Sequence, residues 1–318
     1  MEKLKKEKQT SKHYLENTKT GSSASSNNKL FNRKILFLFK VIITTIILWL
    51  IFRKIDFNEV FLAASGISLT IFMLLILISI IKFVTQYKNW ESCLKITTEY
   101  QPAKNEILKS HFIGQALRFL IPGGHATFAK VYFVTNKKRA TLFSIGIERF
   151  MQTWTNLWFA SFAGFFYFKQ FPFYMRLGGV VIITLIPVAV YWSSRALKME
   201  SWKDYFSQYI RIVPVITLRQ ILFVFLTVFQ YFLIINQFYT ISLVKLLISV
   251  PLILIANIIP ITYAGLGLRE TFAIYLLRDF DIQPEIAVTA SLIIFLINSV
   301  LPAIVGLFFI LTTKKQNY

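Results

Sequence analysis

Cysteine is nearly absent from this chain: the single Cys93 excludes an intramolecular disulfide and argues against a zinc-thiolate centre. Histidine is almost as scarce, and His13, His111 and His125 form no metal-ligand spacing. The HExxH, P-loop, GxSxG and protein-kinase signatures are missing. Gly265-Leu266-Gly267 could open a dinucleotide fingerprint, but the third glycine is lacking and no strand-helix-strand context surrounds it. Acids are few as well, 15 Asp plus Glu against 35 Lys plus Arg, for a net charge of +20. These gaps argue against conventional soluble-enzyme catalysis; no catalytic residue, metal or cofactor is expected.

What the chain has instead is apolar length. Of 318 residues, 55% are hydrophobic and 16% aromatic, gathered in long runs, which is the composition of an all-α polytopic membrane protein. The basic residues fall mainly between those runs. Cytoplasmic loops beside anionic lipid explain them better than nucleic acid, for which no recognition motif is present.

Residues 1–34 are polar and carry nine basic residues against Glu2, Glu7 and Glu16, so they read as a disordered basic cytoplasmic tail. Residues 35–312 form the transmembrane domain, and 313–318 a cytoplasmic C-terminus. Spans are expected at Ile35 to Phe52, Ala63 to Phe83, Thr141 to Phe168, Leu177 to Trp192, Ile212 to Phe238 and Ile286 to Leu311, each near the roughly 20 residues a crossing helix needs. The second would return to the cytoplasm at Lys82 and Lys88. Lys88 to Lys109, a mixture of charges and apolar groups, suits an interfacial helix or loop.

Two apolar stretches are too short or too broken to cross alone. His111 to Val134 is interrupted at Pro122-Gly123-Gly124, and the stretch from Leu243 to Leu277 breaks at Pro260 and loops through Gly265 and Gly267. Proline lacks an amide hydrogen and glycine leaves the backbone unrestrained, so both stop helices. Each stretch is read as a re-entrant hairpin with those residues at its tip, the first entering from the cytoplasm and the second from outside. The layout is then two spans, a hairpin and one span, repeated: repeat one over 35–168 and repeat two over 177–312, about six full spans and two hairpins with inverted topology. Both termini fall in the cytoplasm of a cell-membrane protein.

Irregular backbone within hydrocarbon must be covered by protein or water, so two broken hairpins imply a polar cavity where they meet. Half-helices starting after the glycine tips would aim their positive dipole ends there, which suits a phosphate. Ionisable groups at membrane depth cost roughly 2.5 to 3.5 kcal/mol each and usually face the bundle interior. Arg118, Lys130, Arg149 and Arg269 are therefore the candidate lipid-headgroup contacts. Glu148 and Glu270 are the candidate ion-pair or proton-coupling residues.

Three stretches, in this order, resemble one known family: IGQALRFLIPGGHATFAKVYFV from Ile113, IERF at Ile147 to Phe150, and IPITYAGLGLRETFAIYLL from Ile259. The resemblance is to the transmembrane region of lysylphosphatidylglycerol synthases and its stand-alone flippase-like relatives, and it covers the chain after Lys34. It implies a two-repeat membrane domain that moves or binds a lipid, an aminoacylated phosphatidylglycerol in the best understood relatives. The synthase activity of that family resides in a separate soluble domain, so no aminoacyl transfer is expected of this chain. The leading expectation is a flippase or lipid-binding protein for an anionic or aminoacylated phospholipid or a polyprenyl-phosphate lipid. Its partners would be that lipid and a separate lipid-modifying enzyme or glycosyltransferase. The alternatives are a membrane enzyme of headgroup modification, with Glu148 or Glu270 as base, and a scaffold subunit.

Overall fold

A computed structural model describes residues 61–62, 64–96, 100–120, 125–196, 203–259 and 265–312. The expected tail at 1–34, the first span at 35–52, the C-terminus at 313–318 and the tip residues Pro122, Gly123, Gly124 and Pro260 lie outside them. Among the described residues the chain is helical and has no strand. In chain order it forms α1 (Leu69–Leu94), α2 (Glu106–Leu120), a 3-10 segment (His125–Phe133), α3 (Lys138–Tyr167), α4 (Phe173–Ala196) and α5 (Lys203–Ile235). There follow α6 (Leu243–Leu254), a 3-10 turn (Ile255–Asn257), α7 (Leu268–Arg278), α8 (Pro284–Phe295), a π-turn (Leu296–Val300) and α9 (Leu301–Thr312).

Among the described residues four helical stretches are long and apolar enough to cross a membrane: Leu69–Leu94, Phe173–Ser193, Gln208–Ile235 and Pro284–Leu311. Their outer faces carry large exposed apolar side chains, such as Leu69, Met73, Leu77 and Ile80 on α1 and Ile182, Leu185 and Val188 on α4. Uncovered apolar faces of this length belong in lipid, and the chain is a polytopic all-α membrane protein. Helix α3 has 30 residues, about 45 Å at 1.5 Å per residue, and is long enough too. Its Gln152, Thr155 and Asn156 make it more polar than the four, and it packs against α1, α4, α5 and α6, which cover that polarity.

The second expected span is corrected by the structure. Helix α1 does not end near Phe83 but continues unbroken to Leu94, so Lys88 and Glu91 lie on a helix rather than in an interfacial segment. The cause is a stripe of polar residues at helical spacing, Ser79, Lys82, Gln86 and Asn89, all buried against the bundle. Lys82 therefore faces the protein interior, not the cytoplasmic edge.

Neither hairpin contains a helix able to cross alone: α2 has 15 residues and α6 and α7 have 12 and 11. Within each hairpin the two limbs pack on each other, α2 on the 3-10 segment and α6 on α7. Between halves the packing is exchanged. The first limb of each hairpin lies against the last helix of the other repeat, α2 on α9 and α6 on α3, while α1 meets α5. Gly306 on α9 makes that approach possible, since a Cβ there would stand 2.0 Å from the Phe112 carbonyl oxygen on α2.

Candidate functional site

The two hairpins converge on one cavity of about 150 Å³. Arg118, in the last turn of α2, reaches it from the first hairpin, and Arg269, in the first turn of α7, reaches it from the second. Lys82 enters from α1. Its Nζ donates to Gln230 Oε1 at 2.9 Å and lies 4.6 Å from the Phe223 ring centroid, and the residue is only 2% exposed. Among the described residues no carboxylate pairs with Lys82 or Arg118, and none lines the cavity. Arg118 makes one long contact, to Gln115 Oε1 at 3.5 Å.

Arg269 is held differently. Gly265 and Gly267 adopt left-handed backbone, φ 81° and 86°, where side chains are strained; a Cβ at Gly265 would also lie 2.7 Å from Asn257 Oδ1. That turn starts α7 so that Glu270 Oε2 accepts from the Gly267 amide at 2.6 Å, satisfying one of the open donors of the helix end. Glu270 Oε1 accepts from Arg269 Nη2 at 2.5 Å and from Ser291 Oγ at 3.0 Å, while Arg269 Nε donates to Ser291 Oγ at 2.7 Å. The guanidinium also sits 4.8 Å over the Phe295 ring. With the Glu270 carboxylate turned to the helix end and to Arg269, the arginine is presented to the cavity in one orientation.

The structure places Lys130 and Glu148 together and away from the cavity lining. Lys130 Nζ donates to Glu148 Oε2 at 2.9 Å and stands 4.1 Å over the Trp90 ring, with both side chains buried. The lysine stem fills the space above Gly114, where a Cβ would come within 2.1 Å of Lys130 Cε. The pair thereby locks the second limb of the first hairpin onto α2 and α3. Arg149 also stands outside the lining, and its Nη1 lies 3.5 Å from Gln152 Oε1. At the base of the same hairpin Glu106 accepts from Tyr100 Oη at 3.0 Å, from the Ala103 amide at 2.8 Å and from the Thr135 amide and hydroxyl. Burial, together with the Glu106 carboxylate, raises the Tyr100 phenol well above its usual range, so it stays a donor.

Several carboxamides outside the expected contact set line or support the chamber. Gln152 Nε2 donates to Gln86 Oε1 at 2.8 Å, and Gln86 Nε2 to Gln220 Oε1 at 3.1 Å, linking α3, α1 and α5. Gln230 and Asn298 exchange hydrogen bonds at 3.2 and 2.7 Å. Asn298 lies in the π-turn between α8 and α9, an irregularity often found at functional sites, and its neighbour Ser299 lines the cavity as well. The available signal was spacing: Ser79, Lys82, Gln86 and Asn89 recur every three or four residues within an apolar helix. Among the described residues no group of three His, Cys, Asp or Glu could hold a metal ion.

Comparison with known families gives one match: the family described as "Lysylphosphatidylglycerol synthase TM region" covers residues 37–306. No curated protein matches the chain.

Proposed function

The chain belongs to the lysylphosphatidylglycerol synthase transmembrane-region family, and from that premise we propose that it binds an anionic lipid headgroup between its hairpins and passes it across the membrane. One observation carries this reading: Lys82, Arg118 and Arg269 converge on a single interior cavity whose lining holds no carboxylate among the described residues. Cations at membrane depth cost roughly 2.5 to 3.5 kcal/mol each, so such a chamber is stabilised when an anion enters it. Headgroup phosphate is the anion present at high concentration in a bilayer.

In this reading the headgroup leaves the interface and enters the cavity while its acyl chains remain in lipid beside the exposed apolar faces. The two hairpins approach the cavity from opposite leaflets, so rocking one repeat against the other would open it alternately to each side. Arg269 is the fixed contact, oriented by Glu270 and Ser291. Arg118, whose one contact among the described residues is long, is the cation left to follow the phosphate. The basic loops support a reading in which both termini face the cytoplasm of a cell membrane. A headgroup-modifying enzyme would need a base facing the substrate, and Glu148 and Glu270, the two acids considered for it, are engaged with Lys130 and Arg269.

The test is lipid translocation in proteoliposomes, read by quenching of acyl-labelled phosphatidylglycerol with a membrane-impermeant reductant. Wild-type protein should raise the accessible fraction above that of empty vesicles. Arg118→Ala should slow the exchange at least about tenfold, equivalent to one charge-assisted hydrogen bond. Unchanged exchange in Arg118→Ala and Arg269→Ala would overturn the site.

A further inference from the structure

Resting on that reading, we propose that the headgroup is an acidic phosphate ester with a neutral, hydroxylated remainder, and that headgroups bearing a free amine are rejected. The chamber combines two features that together specify this chemistry. Among the described residues its charged lining is cationic, Lys82, Arg118 and Arg269, and of these Arg269 is ion-paired, with Glu270. The rest of its polar lining is dominated by seven carboxamides, with hydroxyls from Ser79, Thr227, Tyr231 and Ser299 beside them.

An ammonium group entering this chamber adds a like charge beside three cations, and an acid in the lining would be needed to offset that repulsion. Among the described residues the lining has no such acid. The acids nearest in the fold, Glu148 and Glu270, are held by Lys130 and by Arg269 with the Gly267 amide. A lysyl- or alanyl-phosphoglycerol would thus bring its cationic end into a site that already repels it. Hydroxyl groups, by contrast, both donate and accept, as does a carboxamide. Gln86, Gln152 and Gln220 form one such surface where α1, α3 and α5 meet, and Asn298, held by the buried Gln230 behind it, stands on the lining with Lys82. A phosphoglycerol and a glycosyl phosphate share this chemistry: one anionic group for the cations and a polyol for the amides.

The experiment compares acyl-labelled phosphatidylglycerol, lysyl-phosphatidylglycerol and phosphatidylethanolamine, with a labelled polyprenyl glycosyl phosphate as a fourth arm. Each is present at trace level in phosphatidylcholine vesicles containing the full chain. Native mass spectrometry of the purified protein with the same four lipids reads binding independently of movement. The polyol phosphates should be bound and moved at least about tenfold better than both amine-bearing lipids. The phosphoglycerol and glycosyl phosphate arms tell the two sources apart. Lys82→Gln, which keeps a polar partner for Gln230, should narrow the preference against lysyl-phosphatidylglycerol at least about fivefold. Arg118→Gln should do the same from the other wall, so a folding defect in one variant leaves the other to report. Lysyl-phosphatidylglycerol bound or moved as well as phosphatidylglycerol would overturn the selectivity while leaving translocation standing. Absence of both binding and movement for all four lipids would overturn the lipid-site reading and this inference with it.

Discussion

At the residue scale, the charges of this protein divide into those that hold it together and those left for a ligand. Glu270 belongs to the first kind, because it satisfies the amide at the start of α7, the Arg269 guanidinium and the Ser291 hydroxyl at once. Glu270→Ala would strand a buried guanidinium and should lower stability by about 3 to 5 kcal/mol, read as early thermal unfolding in detergent. Lys130 and Glu148 make a second test of the same division. Removing either partner alone should cost about 3 kcal/mol or more, whereas Lys130→Met combined with Glu148→Leu should recover most of the loss. A double variant no more stable than the singles would show that the pair has a further role. Arg118 and Arg269 were legible in the sequence because each sits beside a proline- or glycine-broken stretch, where depth in the membrane can be inferred. Lys82 was not. A lysine at the end of an apolar run looks the same, in one dimension, whether the run stops there or the helix continues inward, and only its pairing with Gln230 on another helix decides the matter.

At the scale of elements, the short, broken limbs were readable from interrupted hydropathy, but their partners were not. Short apolar limbs announce that they cannot cross a bilayer; nothing in their composition says that α2 will lie on α9 or α6 on α3. Glycine provides the contact. Gly306→Val would drive a side chain into the Phe112 carbonyl, because the Cβ position stands 2.0 Å from that oxygen, and α9 would have to move off α2. The expected cost is about 1 to 3 kcal/mol, typical of overpacked interfaces, with a loss of translocation larger than the loss of stability, since Arg118 is carried on α2. Gly146 on α3 has open space around the corresponding position, so Gly146→Ala is the matched control and should leave both readouts unchanged. The π-turn at Leu296–Val300 escaped the sequence for a different reason: Asn298 and Ser299 are a brief polar step in a long apolar run, and the extra residue becomes visible only as Asn298 turns toward Gln230.

At the scale of the whole molecule, the two hairpins must begin and end on the same face if the halves are inverted copies, and that condition can be tested without knowing the lipid. The chain has one cysteine, Cys93, and it is fully buried, so an introduced cysteine can be labelled against a silent background. Lys104 and Lys138 are exposed and bracket the first hairpin; Thr240 and Gln283 are exposed and bracket the second. Basic residues crowd the ends of the first bracket, Lys104, Lys109, Lys137, Lys138 and Arg139, whereas the ends of the second carry Lys245 and Arg278. The positive-inside bias therefore assigns the first bracket to the cytoplasm and the second to the outside. In intact cells a membrane-impermeant maleimide should label Thr240→Cys and Gln283→Cys and spare Lys104→Cys and Lys138→Cys until the membrane is opened. Labelling that separates Lys104→Cys from Lys138→Cys would turn the first hairpin into a crossing segment. It would also remove Arg118 from the middle of the membrane, because the limb that carries it could no longer end inside the protein. The same-side result for both pairs leaves Arg118 and Arg269 approaching one cavity from opposite faces, which is the geometry that alternating access to a headgroup requires.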